Sequence, residues 1–446
     1  MKKILVIAAS DSGGGAGIQT DIKTITALGC YATTAVTALT AQNTEGIKAV
    51  YPVPASFVES QIKAVLADIG ADAVKTGMLL NKDIIKTVSA ILEKHRVTTV
   101  VVDPVMNSKA GYSLLEKSAI DILKTSLLPL CFIVTPNLDE ASILCGITVD
   151  SVDKMKKAAE IIHKMGPNNV LIKGGHLKGE CIDILYDGQE FFEFSSARID
   201  TKNTHGTGCI FSSAIAAEVA KGFSPFEAVQ RAKEFITTSI KFSLPLGHGH
   251  GPANPFANIS RNAQIFECAA ELKNAFKKLQ GKNIGHIIPE VQSNLGYAIL
   301  SASSPEDVLG FPGRIIRIGE TVTTVSDPEA GASRHISKII LTAMKHDKAC
   351  RSAMNICYTP SVIERCKFLG LRVCEFDRTK EPSDIKKIEG STLEWGTEKA
   401  ITSLGYVPDI IFDRGDIGKE PMTRVLGTDP MDVAHKIISI AKEKGH

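Results

Sequence analysis

The sequence predicts an α/β protein in which a large domain with a mainly parallel sheet is followed by a second, smaller domain of α/β or α+β type. Two observations carry this prediction. Short, continuous apolar runs alternate with helix-period segments over residues 1–243, as expected for strands buried on both faces of a parallel sheet. The chain has 446 residues, which is enough for two domains of about 100–200 residues each.

The apolar runs of the first domain are predicted to be strands, and the periodic segments between them helices. The predicted strands are Ile4–Ala9, Val97–Asp103, Phe132–Thr135 and Val170–Lys173. The predicted helices are Ser56–Leu66, Lys82–Lys94 and Val152–Lys164. This alternation of strand and helix indicates a layered α/β fold.

A glycine- and proline-rich stretch without periodicity, Leu244–Arg261, separates the two domains. We therefore place the first domain at residues 1–250, a linker at 251–261 and the second domain at 262–446. The elements predicted for the second domain are the helices Ala263–Leu279 and Ser333–Met344 and the strands Arg314–Ile318 and Asp409–Phe412.

Composition narrows the class of protein. The 51 Lys+Arg and 49 Asp+Glu give a net charge of +2, which argues against a nucleic acid or an anionic membrane as partner. No apolar run approaches the ~18 residues that a membrane helix needs. Ten cysteines without a CxxC pair indicate reduced thiols and a cytoplasmic protein. His248 and His250 lack nearby metal-ligating partners, so we interpret them as ordinary loop residues.

The segment DTKNTHGTGC, residues 200–209, has the strongest chemical signal. Gly206 and Gly208 allow a tight turn around Thr207, and a helix is predicted to follow from Ile210. Free amides at a helix N-terminus and the helix dipole favour an anion. This segment therefore predicts a phosphate site.

Polar residues follow three other predicted strands. They are Asp103 in VVDPVM, Glu140 in VTPNLDE and Lys173 in VLIKGGH. Since ligands bind at the carboxyl ends of parallel strands, we expect these loops to meet at one crevice. Asp103 and Glu140 suit a Mg²⁺ shell, and Lys173 suits phosphate oxygens.

These motifs resemble those of ribokinase-type kinases, and more closely those of hydroxymethylpyrimidine/phosphomethylpyrimidine kinases. The similarity also includes ASDSGGGAGIQTDIKT at 9–24, TALTAQNTEG at 37–46 and KTGML at 75–79. It implies a three-layer ribokinase-like fold, with ATP and Mg²⁺ as cofactors. The residues that it implies for the pyrimidine substrate are Gln42, Met78, Gly15, Ala16 and Asp21, and those for ATP phosphates are Asn137, Lys173, Gly206, Thr207 and Gly208.

At three of the implied site positions, the chemistry of the side chain adds to the resemblance. Gln42 offers an amide suited to an aminopyrimidine edge, whereas Met78 is either an apolar wall of the site or ordinary core. Cys209 occupies the place of the catalytic base in this kinase superfamily. At a helix N-terminus we expect its thiol to have a lowered pKa and to accept a proton; the alternative is a small thiol that only lines the anion site.

The second domain concentrates polar residues in short glycine-rich blocks. Ser333 is predicted to cap a helix whose first turn contains Arg334 and His335. Cations there oppose the helix dipole unless an anion binds nearby. The other cations of such blocks are Arg314, Arg378 and Lys419. Together they predict a phosphate site.

These blocks resemble thiamine-phosphate synthase domains that are fused to pyrimidine kinases. Members of that family depend on an arginine in a GFPGR-type block and a histidine in an ASRH-type block, which correspond to Arg314 and His335 here. We therefore expect both residues to be catalytic. Glu389, Asp413 and Glu420 are weaker candidates for holding metal or substrate.

The two resemblances together imply a bifunctional enzyme of thiamine biosynthesis. The kinase would convert 4-amino-5-hydroxymethyl-2-methylpyrimidine into its monophosphate and then its diphosphate. The synthase would condense that diphosphate with thiazole phosphate, giving thiamine phosphate and pyrophosphate. These small molecules are the expected partners, and a homodimer is compatible with the resemblance. The alternative is a pyridoxal or pyridoxine kinase with a C-terminal thiamine-phosphate-sensing domain.

Overall fold

The computed structural model describes residues 1–106, 114–175, 177, 179–382, 391–416 and 418–442. Within these residues the chain forms two compact units, Met1–Ile259 and Ser260–His446. All ten cysteines are among the described residues, and each is a free thiol. No helix in the described part of the chain is both long and apolar enough to cross a membrane.

The first unit is built on one sheet. Its strands are β1 Lys3–Asp11, β2 Tyr31–Asn43, β3 Gly46–Pro52, β4 Ala73–Thr76, β5 Val100–Val102, β6 Ile133–Val134, β7 Asn169–Gly174, β8 Cys181–Tyr186 and β9 Phe191–Ser196. Among the described residues the strand order is β3-β2-β1-β4-β5-β6-β7-β8-β9. The six neighbouring strands β2, β1, β4, β5, β6 and β7 pair in parallel, whereas β3, β8 and β9 join antiparallel at the edges. The predicted mainly parallel sheet is confirmed.

Helices cover both faces of this sheet. They are α1 Gly17–Ala27, α2 Ala55–Asp68, α3 Lys82–Lys94, α4 Lys117–Ile122, α5 Leu138–Cys145, α6 Val152–His163, α7 Thr207–Ala220 and α8 Pro225–Lys241. Leu5 and Ile7 of β1 pack in the core shared with α2, α3, α5 and α6. Ile4 and Val6 pack in the core shared with α1, α7 and α8. This alternation along the strand gives three layers.

The predicted strands and helices of the first unit are all present; helix Lys82–Lys94 agrees with α3 at both ends, and the others have shifted ends. Strands β2, β3, β4, β8 and β9 were not predicted. Most side chains of β3 and β9 are partly or fully exposed, so these strands lack the continuous apolar runs that identified the buried ones.

The second unit has a different sheet, with order β14-β11-β10-β15-β18-β17-β16 among the described residues. Its strands are β10 Leu295–Ala298, β11 Val308–Gly310, β14 Glu329–Ala330, β15 Ser352–Cys357, β16 Val373–Glu375, β17 Ile410–Asp413 and β18 Met422–Gly427, and a separate hairpin has β12 Ile315–Ile318 and β13 Thr321–Thr324. Neighbours are antiparallel except for β16 and β17.

Five helices complete the description of this half of the chain. They are α9 Ala257–Gln280, α10 Arg334–His346, α11 Pro360–Phe368, α12 Ser391–Leu404 and α13 Pro430–Ala441. One core contains side chains of α9, α11 and α13, and another contains side chains of α10 and α12. Helix α9 begins at Ala257, so residues 257–261 of the expected linker are helical.

Candidate active sites

The loop between β1 and α1 is organised by the carboxylate of Asp11. It accepts hydrogen bonds from the backbone amides of Gly13 at 2.8 Å, Gly15 at 3.2 Å and Ala16 at 2.8 Å. Burial alone would raise the pKa of Asp11, but the hydrogen bonds from His205 and Gly13 outweigh it and hold the pKa below its usual range. Sequence reasoning missed Asp11, although an acid two residues after a predicted strand and two residues before a run of three glycines was a usable signal.

Two glycine segments meet at this loop. Gly206 has a φ of +80°, and a Cβ placed on it would lie 1.8 Å from the carbonyl oxygen of Gly15. A Cβ on Gly15 would lie 2.5 Å from Cδ2 of His205. Only glycine permits this approach, so the structure brings the predicted substrate loop and the predicted phosphate site into direct contact.

Gln42 lies beside the same loop. Its Nε2 is 3.1 Å from Nε2 of His205, and that nitrogen is also 3.1 Å from Oδ2 of Asp11. The hydroxyl of Thr40 donates to Oε1 of Gln42 at 3.3 Å. These contacts fix the position of the amide group. His205 is a further site residue that the sequence interpretation did not single out, since its partners are distant along the chain.

Met78 follows β4 and belongs to a small apolar cluster with Ala9, Ala38 and Leu114. Its side chain is buried, and its carbonyl oxygen accepts a hydrogen bond from the hydroxyl of Thr37 at 2.6 Å. Ala9 lies two residues before Asp11, so this cluster adjoins the glycine loop. Met78 is thus a buried residue next to the predicted substrate site.

The side chain of Asp21 has no exposed surface. Its carboxylate is fully buried, 2.9 Å from Nζ of Lys75, which is also fully buried, and it accepts a hydrogen bond from Ser213 at 2.7 Å. We therefore correct the prediction of direct substrate contact. Asp21 joins α1 to α7 through Ser213, and its partner Lys75 lies in β4. Sequence similarity marked the position but not the direction of the side chain.

The N-terminus of α7 lies over a lysine and a carboxylate. Nζ of Lys173 is 2.8 Å from Oδ1 of Asp103. The Cβ position of Gly208 is 3.4 Å from that Nζ and 3.7 Å from Oδ2 of Asp103. Burial would raise the pKa of Asp103, but Lys173 and Lys75 hold it below its usual range. The strand-end residues and the glycine turn therefore converge, as the fold class predicts.

Asn137 and Glu140 form a capping box at the start of α5. Oδ1 of Asn137 accepts from the amide of Glu140 at 2.9 Å, and Oε2 of Glu140 accepts from the amide of Asn137 at 2.8 Å. Burial, together with the nearby charge of Asp103, raises the pKa of Glu140 to about 7 despite the presence of Lys173. Lys173 therefore acts on two buried carboxylates, those of Asp103 and Glu140.

The predicted low pKa of Cys209 is wrong in direction. Burial raises the pKa of the thiol to about 12, and the charges of Asp21 and Asp103 add to this effect while Lys75 opposes it. The sequence showed the helix N-terminus but not the two buried carboxylates beside it. At neutral pH the thiol is protonated, which favours the interpretation that it lines the anion site.

We expect Cys209 to be alkylated slowly. Raising the pKa from the usual value near 9 to about 12 lowers the thiolate fraction at pH 8 by about 10³-fold. Since the thiolate is the nucleophile, we expect alkylation to slow by a similar factor. Iodoacetamide labelling, quantified by mass spectrometry of the Cys209 peptide, measures this. Cys181, which is partly exposed in the same unit, is the internal reference. Equal labelling rates of Cys209 and Cys181 would contradict the raised pKa and would support a thiolate at Cys209 as the catalytic base.

All six predicted phosphate-binding or catalytic residues of the second unit line one cavity of about 910 Å³. They are Arg314, Ser333, Arg334, His335, Arg378 and Lys419. Ser333 caps α10 by accepting from the amide of Ile336 at 3.4 Å, which places Arg334 and His335 in the first turn. The structure therefore brings these residues together around one space.

Arg314 stands at the mouth of this cavity in a strained conformation. Its φ is +70°, which is uncommon for a residue with a Cβ. The exposed side chain donates from Nη1 to the carbonyl oxygen of Val291. Strain of this kind persists where surrounding structure imposes it and is common at functional sites.

The predicted acidic residues of this unit have structural partners. Glu420 accepts from the amides of Glu290 at 3.0 Å and Val291 at 3.2 Å. Asp413 is buried between Arg378 and Arg424. Glu389 lies outside the described residues. Arg424, a cavity residue in β18, was not singled out from the sequence.

No group of three or more His, Cys, Asp or Glu side chains suited to a metal ion occurs in the part of the chain that the structure describes. Nδ1 of His250 lies 2.9 Å from the carbonyl oxygen of Lys202. His248 and His250 are exposed. Their interpretation as ordinary loop residues stays a prediction.

Comparison with known proteins identifies both units. Residues 11–254 match the sequence model of the family described as phosphomethylpyrimidine kinase, and residues 271–439 match that of thiamine-phosphate synthase ThiN. A hydroxymethylpyrimidine/phosphomethylpyrimidine kinase of Bacillus subtilis is 46% identical over 257 residues, which are 57% of this chain and 95% of the relative.

A second relative is the thiamine biosynthesis bifunctional protein ThiED of Geobacter sulfurreducens, which is 50% identical over 252 residues. The match covers 56% of this chain and 51% of ThiED, so the chain spans about half the length of that relative. Among solved structures, an ADP complex of Bacillus subtilis pyridoxal kinase has a TM-score of 0.55 and 41% identity, covering 58% of this chain and 99% of that one. The kinase match extends over more than half of the sequence, and the chain therefore belongs to the phosphomethylpyrimidine kinase family.

Proposed function

We propose that the chain is a bifunctional enzyme that phosphorylates a hydroxymethylpyrimidine twice with ATP and then joins the diphosphate to thiazole phosphate. The contact between the glycine loop of residues 13–17 and the N-terminus of α7 supports the kinase assignment, because the predicted substrate loop and the predicted phosphate site adjoin there. The cation-lined cavity of the second unit supports the synthase assignment, together with the matching family models.

In the kinase site, phosphoryl transfer depends on positioning and charge stabilisation. The amides at the start of α7 and the ammonium of Lys173 are suited to hold the transferring phosphoryl group. Gln42 would orient the pyrimidine with one donor and one acceptor, and its contacts with Thr40 and His205 keep it in place. The Cys209 thiol would line the site and place the attacking oxygen.

A magnesium ion fits the residues beside this anion site. Asp103 and Glu140 both lie close enough to Lys173 to feel its charge, and burial together with the charge of Asp103 raises the pKa of Glu140. We propose that these two carboxylates hold Mg²⁺, through its water shell or directly. When bound, the ion would neutralise charge on the phosphate oxygens.

In the second cavity, the carbon–oxygen bond between the pyrimidine methylene and the diphosphate would break, with the electron pair leaving on the diphosphate. The thiazole nitrogen would then supply its lone pair for the new carbon–nitrogen bond. We propose that Arg314 stabilises the leaving diphosphate and that His335 hydrogen-bonds a phosphate oxygen or the developing cation. The exposed Arg334 and Lys419 add positive charge.

A pyridoxal kinase is the second candidate, because a structure of that activity shares this fold at 41% identity. We expect kcat/KM for hydroxymethylpyrimidine to exceed that for pyridoxal at least tenfold, since Gln42 presents an amide to an aminopyrimidine edge. Steady-state ADP release with each substrate measures this. Gln42→Ala should remove most of the preference, whereas the exposed Gln189→Ala is a matched control. A preference for pyridoxal would contradict the proposal.

A further inference from the structure

The cavity of the second unit contains a buried cluster of charges distinct from its exposed cations. Asp413, at the end of β17, has no exposed side-chain surface, and it lies between Arg378 and Arg424, which are 8% and 2% exposed. Oδ1 of Asp413 is 2.5 Å from Nε of Arg378, and Oδ2 is 2.7 Å from Nη1 of Arg424. Both arginines line the cavity.

This cluster holds the two guanidinium groups in fixed positions. Both lie over the ring of Phe376, with Cζ of Arg424 at 5.2 Å and Cζ of Arg378 at 5.8 Å from its centroid. Asp413 is itself anchored by the amide of Gly415 at 2.9 Å. An arginine fork held by a carboxylate and an aromatic ring is preorganised for a planar, bidentate contact.

Part of each guanidinium group has no hydrogen-bond partner among the described residues. Among the described residues, the polar contacts of Arg424 are made by Nη1, which contacts Oδ2 of Asp413 and the carbonyl oxygen of Met422. Those of Arg378 end on Nε and Nη2. Nε and Nη2 of Arg424 and Nη1 of Arg378 are therefore the groups with which a cavity ligand can bond.

The cluster also carries unbalanced charge. Two guanidinium groups around one carboxylate leave one net positive charge in a buried place, where an uncompensated charge is costly. Burial lowers the pKa of Arg424, and the charge of Arg378 adds to that effect although Asp413 opposes it. An anion in this part of the cavity would remove the imbalance.

We propose that Arg424, together with Arg378, binds the phosphate group of thiazole phosphate. This inference rests on the proposed synthase function, which brings two phosphorylated substrates into the same cavity. The bond to the thiazole phosphate group is not broken, so that group can occupy a closed, dry place throughout the reaction. The diphosphate must leave, and the exposed Arg314, Arg334 and Lys419 suit a group that departs with its hydration shell.

Arg424→Met in the full chain tests the assignment. We expect the KM for thiazole phosphate to rise about 10–100-fold, as for loss of one or two charge-assisted hydrogen bonds, while the KM for the pyrimidine diphosphate changes less than threefold. Asp413 keeps Arg378 as its partner, so the variant should remain folded. Arg351→Met is the matched control, because Arg351 stacks on Tyr297 at 4.5 Å and does not line the cavity.

A comparison with the thiazole alcohol isolates the phosphate contact. Wild type should bind thiazole phosphate more tightly than the alcohol by calorimetry, and Arg424→Met should lose most of this difference. Arg424→Lys, which keeps the charge without the fork, should lie between them. An unchanged preference for the phosphate in Arg424→Met, or a rise in the KM for the diphosphate instead, would overturn the assignment.

The same calorimetry separates this inference from the proposed function. If wild type forms no thiamine phosphate but its binding of thiazole phosphate depends on Arg424, the synthase proposal fails and the phosphate site stands. If wild type forms thiamine phosphate and Arg424→Met behaves like Arg351→Met, the phosphate site fails alone.

Discussion

Gly206→Ala is expected to lower both phosphorylation steps by about 10²–10³-fold, the loss typical of removing one preorganised donor from an oxyanion site. The new Cβ would lie 1.8 Å from the carbonyl oxygen of Gly15, so either the substrate loop or the start of α7 must move. ADP release with hydroxymethylpyrimidine and with its monophosphate measures the effect.

Gly29→Ala is the matched control for this change. Gly29 has a φ of +75°, but a Cβ placed on it would meet nothing within 4 Å. It therefore reports the cost of a left-handed backbone alone, which is about 1 kcal/mol. We expect Gly29→Ala to keep normal kinase turnover. Similar losses in both variants would mean that the contact between the two glycine segments has no part in catalysis.

Asp21→Ala is expected to destabilise the first unit by about 3–5 kcal/mol, because the fully buried ammonium of Lys75 would lose its carboxylate partner. The free energy of unfolding of the first unit is measured by urea denaturation, with hydrogen exchange of the β1 and β4 amides as the readout. Trp395, the single tryptophan of the chain, lies in the second unit, so its fluorescence is an internal reference.

Replacing both partners distinguishes a lost ion pair from a lost contact. In Asp21→Leu combined with Lys75→Met, neither charge of this pair remains, and we expect most of the lost stability to return. A single Asp21→Ala variant as stable as wild type would contradict the account of Asp21 as a structural partner and would reopen its predicted contact with substrate.

The convergence of the sites could be predicted where it follows from local rules. Glycines before a helix and polar residues after buried strands placed Asp103, Lys173 and Gly208 at one edge of the sheet, because parallel strands end on the same side. In the second unit, Ser333 was recognisable as a helix cap, and this predicted that Arg334 and His335 lie in the first turn of α10.

The remaining features depend on contacts between distant parts of the chain. Asp11 and His205 are 194 residues apart, and Asp413 finds Arg378 at a separation of 35 residues. No spacing rule links such pairs. A lowered pKa was predicted for Cys209 from its position at a helix N-terminus, whereas burial beside carboxylates from other elements raises that pKa. Burial of this kind is a property of the packed fold.

The most direct test of the account is one assay of the purified chain with hydroxymethylpyrimidine, thiazole phosphate, ATP and Mg²⁺, in which ADP and thiamine phosphate are both followed. The account predicts both products in the wild type. In His335→Ala it predicts continued ADP release without thiamine phosphate. ADP release without thiamine phosphate in the wild type would contradict the synthase assignment, and absence of ADP release would contradict the kinase assignment.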